Sequence, residues 1–171
     1  MTAEQKAPVV TTYLEMRSWE QLRPKRCTDA RFEVREETER DWRLNRDLYF
    51  HVGDQWEWID KRPWTDDQWK EYASAPELRT FAGYYDDALA GYYELRWDSE
   101  DGIEIAYFGL LPKWIGRGLG GALLTSAIEE AWRTDPNPSR VWVHTCNRDH
   151  PQALVNYQAR GMIVYRVEEE L

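Results

Sequence analysis

The stretch that most constrains this chain covers residues 103–121, IEIAYFGLLPKWIGRGLGG, where an apolar strand pattern leads into four glycines and then into a helix pattern. Gly116, Gly118, Gly120 and Gly121 carry no Cβ, so the backbone N–H groups there can approach an anion closely. The start of the following helix directs unpaired donors and partial positive charge to the same place. This order of elements predicts a site for a phosphate-bearing cofactor.

Length and composition narrow the class of protein. The 171 residues are 42% hydrophobic and 14% aromatic, enough for one core, so we expect a single domain over residues 1–171. No apolar run approaches the roughly 18 residues of a membrane span, and the first ten residues lack the apolar core of a signal peptide, so we expect a cytoplasmic location without membrane contact.

The net charge of −9 disfavours nucleic acid as a partner and favours a neutral or cationic substrate. Cys27 and Cys146 lack zinc-ligand or disulfide spacing, so we expect no metal site and two reduced thiols.

The first half of the chain predicts two strands and two helices. β-branched and aromatic side chains indicate the strands, and apolar residues at helical spacing indicate the helices. Thr38 is a candidate cap for the first helix, and a tryptophan-rich link joins the two helices. The predicted strands cover residues 9–16 and 31–35, and the predicted helices cover residues 37–50 and 65–72.

The second half alternates strands and helices. Asp86 and Asp87 lie between two aromatic runs and predict the tight turn of a hairpin. Pro151 opens the last predicted helix and Gly161 closes it. The predicted strands cover residues 80–85, 89–97, 103–111, 140–146 and 162–167, and the helices run from residue 119 to the TDPNP segment at 134–138 and over 151–160. A meander followed by a βαβαβ tail predicts one mixed sheet with helices on it.

The second half also resembles the GNAT acetyltransferase superfamily, over roughly residues 80–167. The family's pyrophosphate motif is Gln or Arg, two residues, Gly, one residue, then Gly or Ala, and residues 115–120 match both glycine positions with Ile115 in the polar first place. A second family motif is matched by Asn147, Ala153, Tyr157 and Gly161. The resemblance implies an α+β fold with a mixed, mostly antiparallel sheet of six to seven strands and helices on both faces.

The resemblance implies acetyl-CoA as the cofactor. Backbone groups of residues 108–110 would pair with the pantetheine amides and polarise the thioester carbonyl, and Gly109 fits a bulge at this point. Lys113 would add charge near the phosphates or be a solvated loop residue, and the same alternatives hold for Arg117. The implied cofactor-binding residues are Phe108, Gly109, Leu110, Ile115, Gly116, Arg117, Gly118, Leu119, Gly120, Gly121, Asn147 and Tyr157.

The same resemblance implies two catalytic residues. Glu104 is the expected base for the acceptor amine, and Tyr157 is the expected acid that protonates the CoA thiolate. The alternatives are a strand carboxylate without chemistry for Glu104 and a core tyrosine for Tyr157. His144 is expected to be a hydrogen-bonded core group, and His150 is expected to shape the entry of a helix.

In this family the acceptor pocket comes largely from the first helices and their link, here residues 47–64. The candidate substrate-binding residues are Tyr49, His51, Trp56, Trp58 and Glu104. Aromatic faces and carboxylates in this segment would hold an ammonium group, or the aromatic rings would only pack a core. The expected activity is acetyl transfer to a primary amine of a small molecule or peptide in a direct ternary complex. A non-catalytic acyl-CoA sensor or scaffold, a longer acyl donor and a homodimer are left open.

Overall fold

A computed structural model gives the fold of residues 7–171. These residues form one seven-stranded sheet and four helices, which confirms the predicted fold class. The strands are β1 (Val9–Met16), β2 (Phe32–Glu36), β3 (Leu78–Tyr85), β4 (Ala88–Asp98), β5 (Gly102–Leu110), β6 (Val141–Cys146) and β7 (Ile163–Glu170), and the helices are α1 (Trp42–Gly53), α2 (Asp66–Ser74), α3 (Gly120–Trp132) and α4 (Ala153–Ala159). No helix in this part of the chain is long and apolar enough to cross a membrane.

The sheet order is β2-β3-β4-β5-β6-β1-β7, and every neighbouring pair is antiparallel except β5 and β6. The parallel pair is short, since it consists of Ile103 with Val141 and Glu104 with Trp142. Strand β1 lies between β6 and β7, so the predicted βαβαβ tail is interrupted by the N-terminal strand. The sequence could not show this insertion, because strand propensity does not say which strands are neighbours.

The core forms on both faces of the sheet. Tyr92 and Tyr93 are consecutive on β4 and are both fully buried, so they point to opposite faces. Tyr93 belongs to the cluster that includes Leu123 of α3, whereas Tyr92 belongs to the cluster with Leu48 and Val52 of α1. Helices α1 and α2 therefore cover one face, and α3 and α4 cover the other.

The predicted start of the first helix was wrong. The helix predicted over residues 37–50 begins at Trp42, and its N-cap is Asp41 rather than Thr38. The carboxylate of Asp41 accepts a hydrogen bond from a backbone N–H in the first turn. Arg40 has a φ of 54°, which is not helical, so the helix cannot extend further toward the N-terminus.

Other local signals led to the right structure. Thr65 caps α2 in a capping box with Gln68, as its position before the apolar spacing suggests. Asp86 and Asp87 have φ values of 50° and 65° in the turn between β3 and β4, which is the conformation of a tight hairpin turn. Gly161, the second residue after α4, has a φ of 101° and ends that helix.

The bulge predicted at Gly109 lies elsewhere on β5. Gly109 pairs regularly with Tyr92, and the register shifts opposite Glu94, where Ala106 has no partner on β4. Glycine is favoured at 109 for a different reason, because a Cβ there would overlap with Cγ1 of Val52. The missing side chain lets α1 pack directly on β5.

Candidate functional site

Strands β5 and β6 separate after two residue pairs and open a cleft of about 790 Å³. Among the described residues, no strand pairs with this edge of β5 beyond Glu104. The N–H and C=O groups along that edge are therefore available to a ligand in the cleft. Phe108, Gly109 and Leu110 line the cleft at the place predicted for the pantetheine chain.

The glycine loop, residues 115–121, forms one end of the cleft. Gly116 and Gly118 have φ values of 81° and 80°, and a Cβ at either position would meet no atom within 4 Å beyond the adjacent residues. Helix α3 follows at Gly120, and its N-cap residue Leu119 makes no side-chain hydrogen bond to the first turn. The loop thus combines open space with uncapped N–H donors, and an anion fits there.

Most of the predicted cofactor-binding residues lie at the cleft. The ones that line it are Phe108, Gly109, Leu110, Ile115, Gly116, Gly118, Gly120, Gly121 and Tyr157. Leu119 is instead buried in a cluster with Ala90 and Trp114, and the guanidinium of Arg117 lies over the Trp114 ring at 4.9 Å. Asn147 binds the backbone of Val10 and Pro8, so its side chain anchors the start of β1 rather than lining the cleft.

Tyr157 lines the cleft from α4 and is only 5% exposed. Its ring packs edge-on against Phe108, with 6.1 Å between the ring centroids. Its hydroxyl makes no hydrogen bond within residues 7–171. Burial raises the pKa of the phenol, and the nearby Asp149 carboxylate raises this pKa further. Tyr157 is thus neutral with its proton available to a ligand.

Sequence reasoning missed Asp149, which lines the cleft at the turn between β6 and α4. Its Oδ2 accepts hydrogen bonds from the hydroxyl of Thr145 at 2.6 Å and from the N–H of Cys146 at 3.0 Å. Its Oδ1 accepts one from Nε1 of Trp58 at 3.3 Å. The sequence signal for Asp149 as a site residue was weak, because it consists only of an acidic residue between a strand and a helix.

Glu104 lies behind the cleft rather than in its lining. Its side chain is 8% exposed and forms an ion pair with Arg96 of β4. Its other oxygen lies 3.6 Å from Nε2 of His144. His144 itself lines the cleft and its side chain is 48% exposed, so the prediction of a core histidine was wrong.

Glu104, described above, does not line the cleft, and the other predicted acceptor residues divide into two groups. Trp56 and Trp58 line the cleft. Tyr49 does not, because it is 1% exposed and its hydroxyl donates to Asp60 at 2.7 Å. His51 is exposed on α1 and also lies outside the cleft lining. The prediction that Tyr49 and His51 contact the substrate is therefore corrected, whereas Asp60, which lines the cleft, was missed.

An aromatic cage is present, but it holds a cation of the chain itself. The ammonium of Lys61 lies 4.6 Å, 5.1 Å and 4.9 Å from the ring centroids of Trp64, Tyr72 and Tyr107. It also donates to the Tyr107 hydroxyl at 3.0 Å and to the Asp60 carboxylate at 3.1 Å. These rings thus stabilise the link between α1 and α2 through Lys61, and of the three rings Tyr107 also lines the cleft.

Glu94 lies buried beneath this cage with 1% exposure. It accepts hydrogen bonds from the hydroxyl of Tyr72 at 2.8 Å and from the amide of Asn45 at 3.2 Å. Burial raises its pKa to about 7, although these two hydrogen bonds and the charges of Lys61 and Arg96 lower it. Glu94 does not line the cleft, so we expect its ionisation to affect the stability of the fold rather than the binding of a ligand.

Three consecutive contacts hold the link between α1 and α2 against the turn between β6 and α4, across the cleft. The contacts join the rings of Trp56 and His150 with 4.8 Å between centroids, Glu57 and Arg148 in an ion pair of 2.8 Å, and Trp58 and Asp149 in the hydrogen bond described above. His150 also accepts from the backbone N–H of Gln152 at 3.0 Å, so it shapes the entry to α4 as predicted. All of the residues in these three contacts except Arg148 line the cleft.

Solved structures of similar fold include a GCN5-related N-acetyltransferase from Sphaerobacter thermophilus, at a TM-score of 0.71 and 17% identity over 93% of this chain and 49% of that one. A GCN5-related N-acetyltransferase from Kribbella flavida has a TM-score of 0.66 and 14% identity over 92% of this chain and 55% of that one. An aminoglycoside acetyltransferase from an uncultured soil metagenomic sample has a TM-score of 0.62 and 14% identity over 77% of this chain and 88% of that one.

The first two of these proteins are longer, and this chain covers only about half of their length. No curated protein sequence matches the chain. Residues 32–162 match the Acetyltransferase (GNAT) family, and this range contains the glycine loop, both strands of the cleft and Tyr157. The chain therefore belongs to the GNAT acetyltransferase family.

Proposed function

We propose that this protein is an acetyl-CoA-dependent N-acetyltransferase that moves an acetyl group to a primary amine of a small molecule or peptide by direct attack in a ternary complex. The observation that carries the proposal is the cleft between β5 and β6, where an unpaired strand edge, an uncapped helix start and Tyr157 meet. Bound acetyl-CoA supplies an activated acetyl group as a thioester.

The residues along the cleft fit such a cofactor from one end to the other. The open glycine loop would hold the pyrophosphate through backbone N–H groups at the start of α3. The free edge of β5 at residues 108–110 would pair with the amides of pantetheine. Asn156 shapes the loop from α4, because its side-chain amide donates to the carbonyl of Gly120 at 3.2 Å.

Tyr157 would donate its proton to the sulfur of the departing CoA. The absence of a hydrogen-bond partner in residues 7–171 leaves the phenol proton available, and burial keeps the hydroxyl protonated at neutral pH. The charge of Asp149 also favours the protonated hydroxyl, because it raises the pKa of the phenol further. A positioned general acid typically contributes about 10²–10⁴-fold to the rate.

The proton of the acceptor amine would leave through His144. His144 lines the cleft, and Glu104 lies 3.6 Å behind it. The carboxylate predicted as the base would then act through the imidazole, holding its orientation and balancing the charge that it gains. The Glu104 role remains a prediction in this modified form.

The acceptor would enter between His144 and the link of α1 and α2. Trp56, Trp58 and Asp60 line this part of the cleft, and the Asp60 carboxylate is held by Tyr49, Tyr107 and Lys61. Although burial raises it, the pKa of Asp60 is lowered overall by these hydrogen bonds and by the charge of Lys61. A carboxylate and two indole rings in the same cleft lining favour an acceptor that is itself a cation.

A panel of small amines and peptides tests the proposal. We expect release of free CoA thiol from acetyl-CoA only when a suitable primary amine is present, and a raised Tm when CoA is added. A raised Tm without thiol release from any amine would instead support a non-catalytic acyl-CoA sensor. Thiol release from a longer acyl-CoA but not from acetyl-CoA would correct the identity of the donor.

A further inference from the structure

Two cations from distant parts of the chain meet beside the glycine loop. Arg160 lies directly after α4, and Lys25 lies in the segment before β2, yet both line the same end of the cleft. A Cβ at Gly121, in the first turn of α3, would lie 2.5 Å from Nη1 of Arg160 and 2.6 Å from Cδ of Lys25. The missing side chain at Gly121 thus lets both side chains lie against the start of α3.

The backbone holds both residues in place. The N–H of Lys25 donates to the hydroxyl of Thr125 at 2.9 Å, and that hydroxyl donates to the carbonyl of Gly121 at 2.7 Å. The carbonyl of Arg160 accepts from the N–H of Arg23 at 2.9 Å. The segment that carries Lys25 is therefore attached both to the first turn of α3 and to the end of α4.

Neither cation is neutralised within residues 7–171. No carboxylate lies within 4.0 Å of either charged group there, and Nε of Arg160 is buried with no hydrogen-bond partner. Their neighbour Arg26 behaves differently, because it forms an ion pair with Glu129. In a chain with a net charge of −9, two unpaired cations at the start of one helix form a local region of positive charge. Such a region favours the binding of an anion.

We propose that Lys25 and Arg160 form a cationic clamp that binds a phosphate group of CoA beside Gly121. The inference rests on the proposed function, and it adds side-chain contacts to a site otherwise built from backbone N–H groups. A charge-assisted hydrogen bond to phosphate from each side chain would complete the partners of Arg160 and anchor the N-terminal segment to the ligand.

Isothermal titration of the purified protein with CoA and with dephospho-CoA tests the clamp. We expect Lys25→Met and Arg160→Met each to weaken CoA binding about tenfold or more, because each removes a charge-assisted contact. Lys70→Met and Arg43→Met remove matched charges on α2 and α1, away from the cleft, and should leave the affinity unchanged. Lys25→Arg and Arg160→Lys keep the charge and should lose only a few-fold.

Each outcome decides the question. An equal loss for CoA and dephospho-CoA places the clamp on the pyrophosphate, and a loss for CoA alone places it on the 3′-phosphate. Wild-type affinity in both Met variants, or the same loss in the charge-conserving variants, would overturn the clamp while leaving the proposed function intact. If the wild-type protein binds no CoA, the proposed function itself fails.

Discussion

At the scale of single residues, Tyr157 combines a hydroxyl that has no partner within residues 7–171 with a place in the cleft lining. A core tyrosine normally gives its O–H to a protein acceptor, and the described residues provide none for this one. Its place next to Phe108 and Asp149 explains why the ring is buried while the proton is available to a ligand. Tyr157 could be predicted as a site residue from the sequence, because the family motif that joins it to Asn147 lies within one short stretch of the chain.

Tyr157→Phe separates the catalytic role from a packing role. The variant keeps the ring and removes only the hydroxyl, so we expect kcat to fall by about 10²–10⁴-fold. The Tm and the Kd for CoA should remain near wild type, since no internal hydrogen bond is lost. Near-normal turnover with a lowered Tm would remove Tyr157 from the mechanism.

His144 and Glu104 can be separated by the size of the loss that each substitution causes. If the imidazole takes the proton directly, His144→Gln should lower kcat/KM by about 10²–10⁴-fold, the usual contribution of a general base. Glu104→Gln keeps the imidazole and should lower kcat/KM less, because the carboxylate acts only through His144. A larger loss in Glu104→Gln than in His144→Gln would identify Glu104 as the direct base.

Glu94 makes a contribution to stability that depends on pH. Burial raises its pKa from 4.5 to about 7, so the folded state holds the proton more tightly than the unfolded chain. The wild type should therefore lose stability as the pH rises from about 4.5 to 7, by a free energy of unfolding on the order of 3 kcal/mol.

Glu94→Gln isolates this contribution, because the amide does not ionise in that range. Urea unfolding of both proteins at several pH values from 4 to about 8 gives the difference in free energy. We expect the variant to gain stability relative to the wild type across this window. A constant difference at all pH values would show that Glu94 does not titrate as described.

At the scale of elements, the glycine loop and the separated strands define the cleft. The loop could be predicted because its four glycines all lie within residues 116–121. The contact of His144 with Glu104 could not, since it depends on the two-residue pairing of β5 with β6. The cage around Lys61 also could not be predicted, because a tryptophan-rich composition does not show which cation the rings surround.

Gly118→Glu tests the loop as an anion site. The side chain would place bulk and negative charge in space that is otherwise open, and its φ of 80° would strain any residue other than glycine. We expect CoA binding to be lost in Gly118→Glu and weakened less in Gly118→Gln, which adds similar bulk without charge. Unchanged Kd values in a folded Gly118→Glu protein would rule out the loop as the phosphate site.

At the scale of the whole molecule, the N-terminal segment joins parts of the chain that are far apart in sequence. Strand β1 completes the sheet between β6 and β7, and Lys25 then reaches the start of α3. The sequence predicted β1 as a strand but not its place, because pairing across so many residues leaves no local pattern. A single domain, a cytoplasmic location and a homodimer remain predictions.

Direct acetyl transfer from acetyl-CoA to an amine is tested most directly by initial rates measured with both substrates varied. We expect intersecting double-reciprocal lines, with one CoA thiol released for each amine acetylated. Parallel lines together with an acetylated protein would contradict direct transfer, because they indicate an acyl-enzyme step.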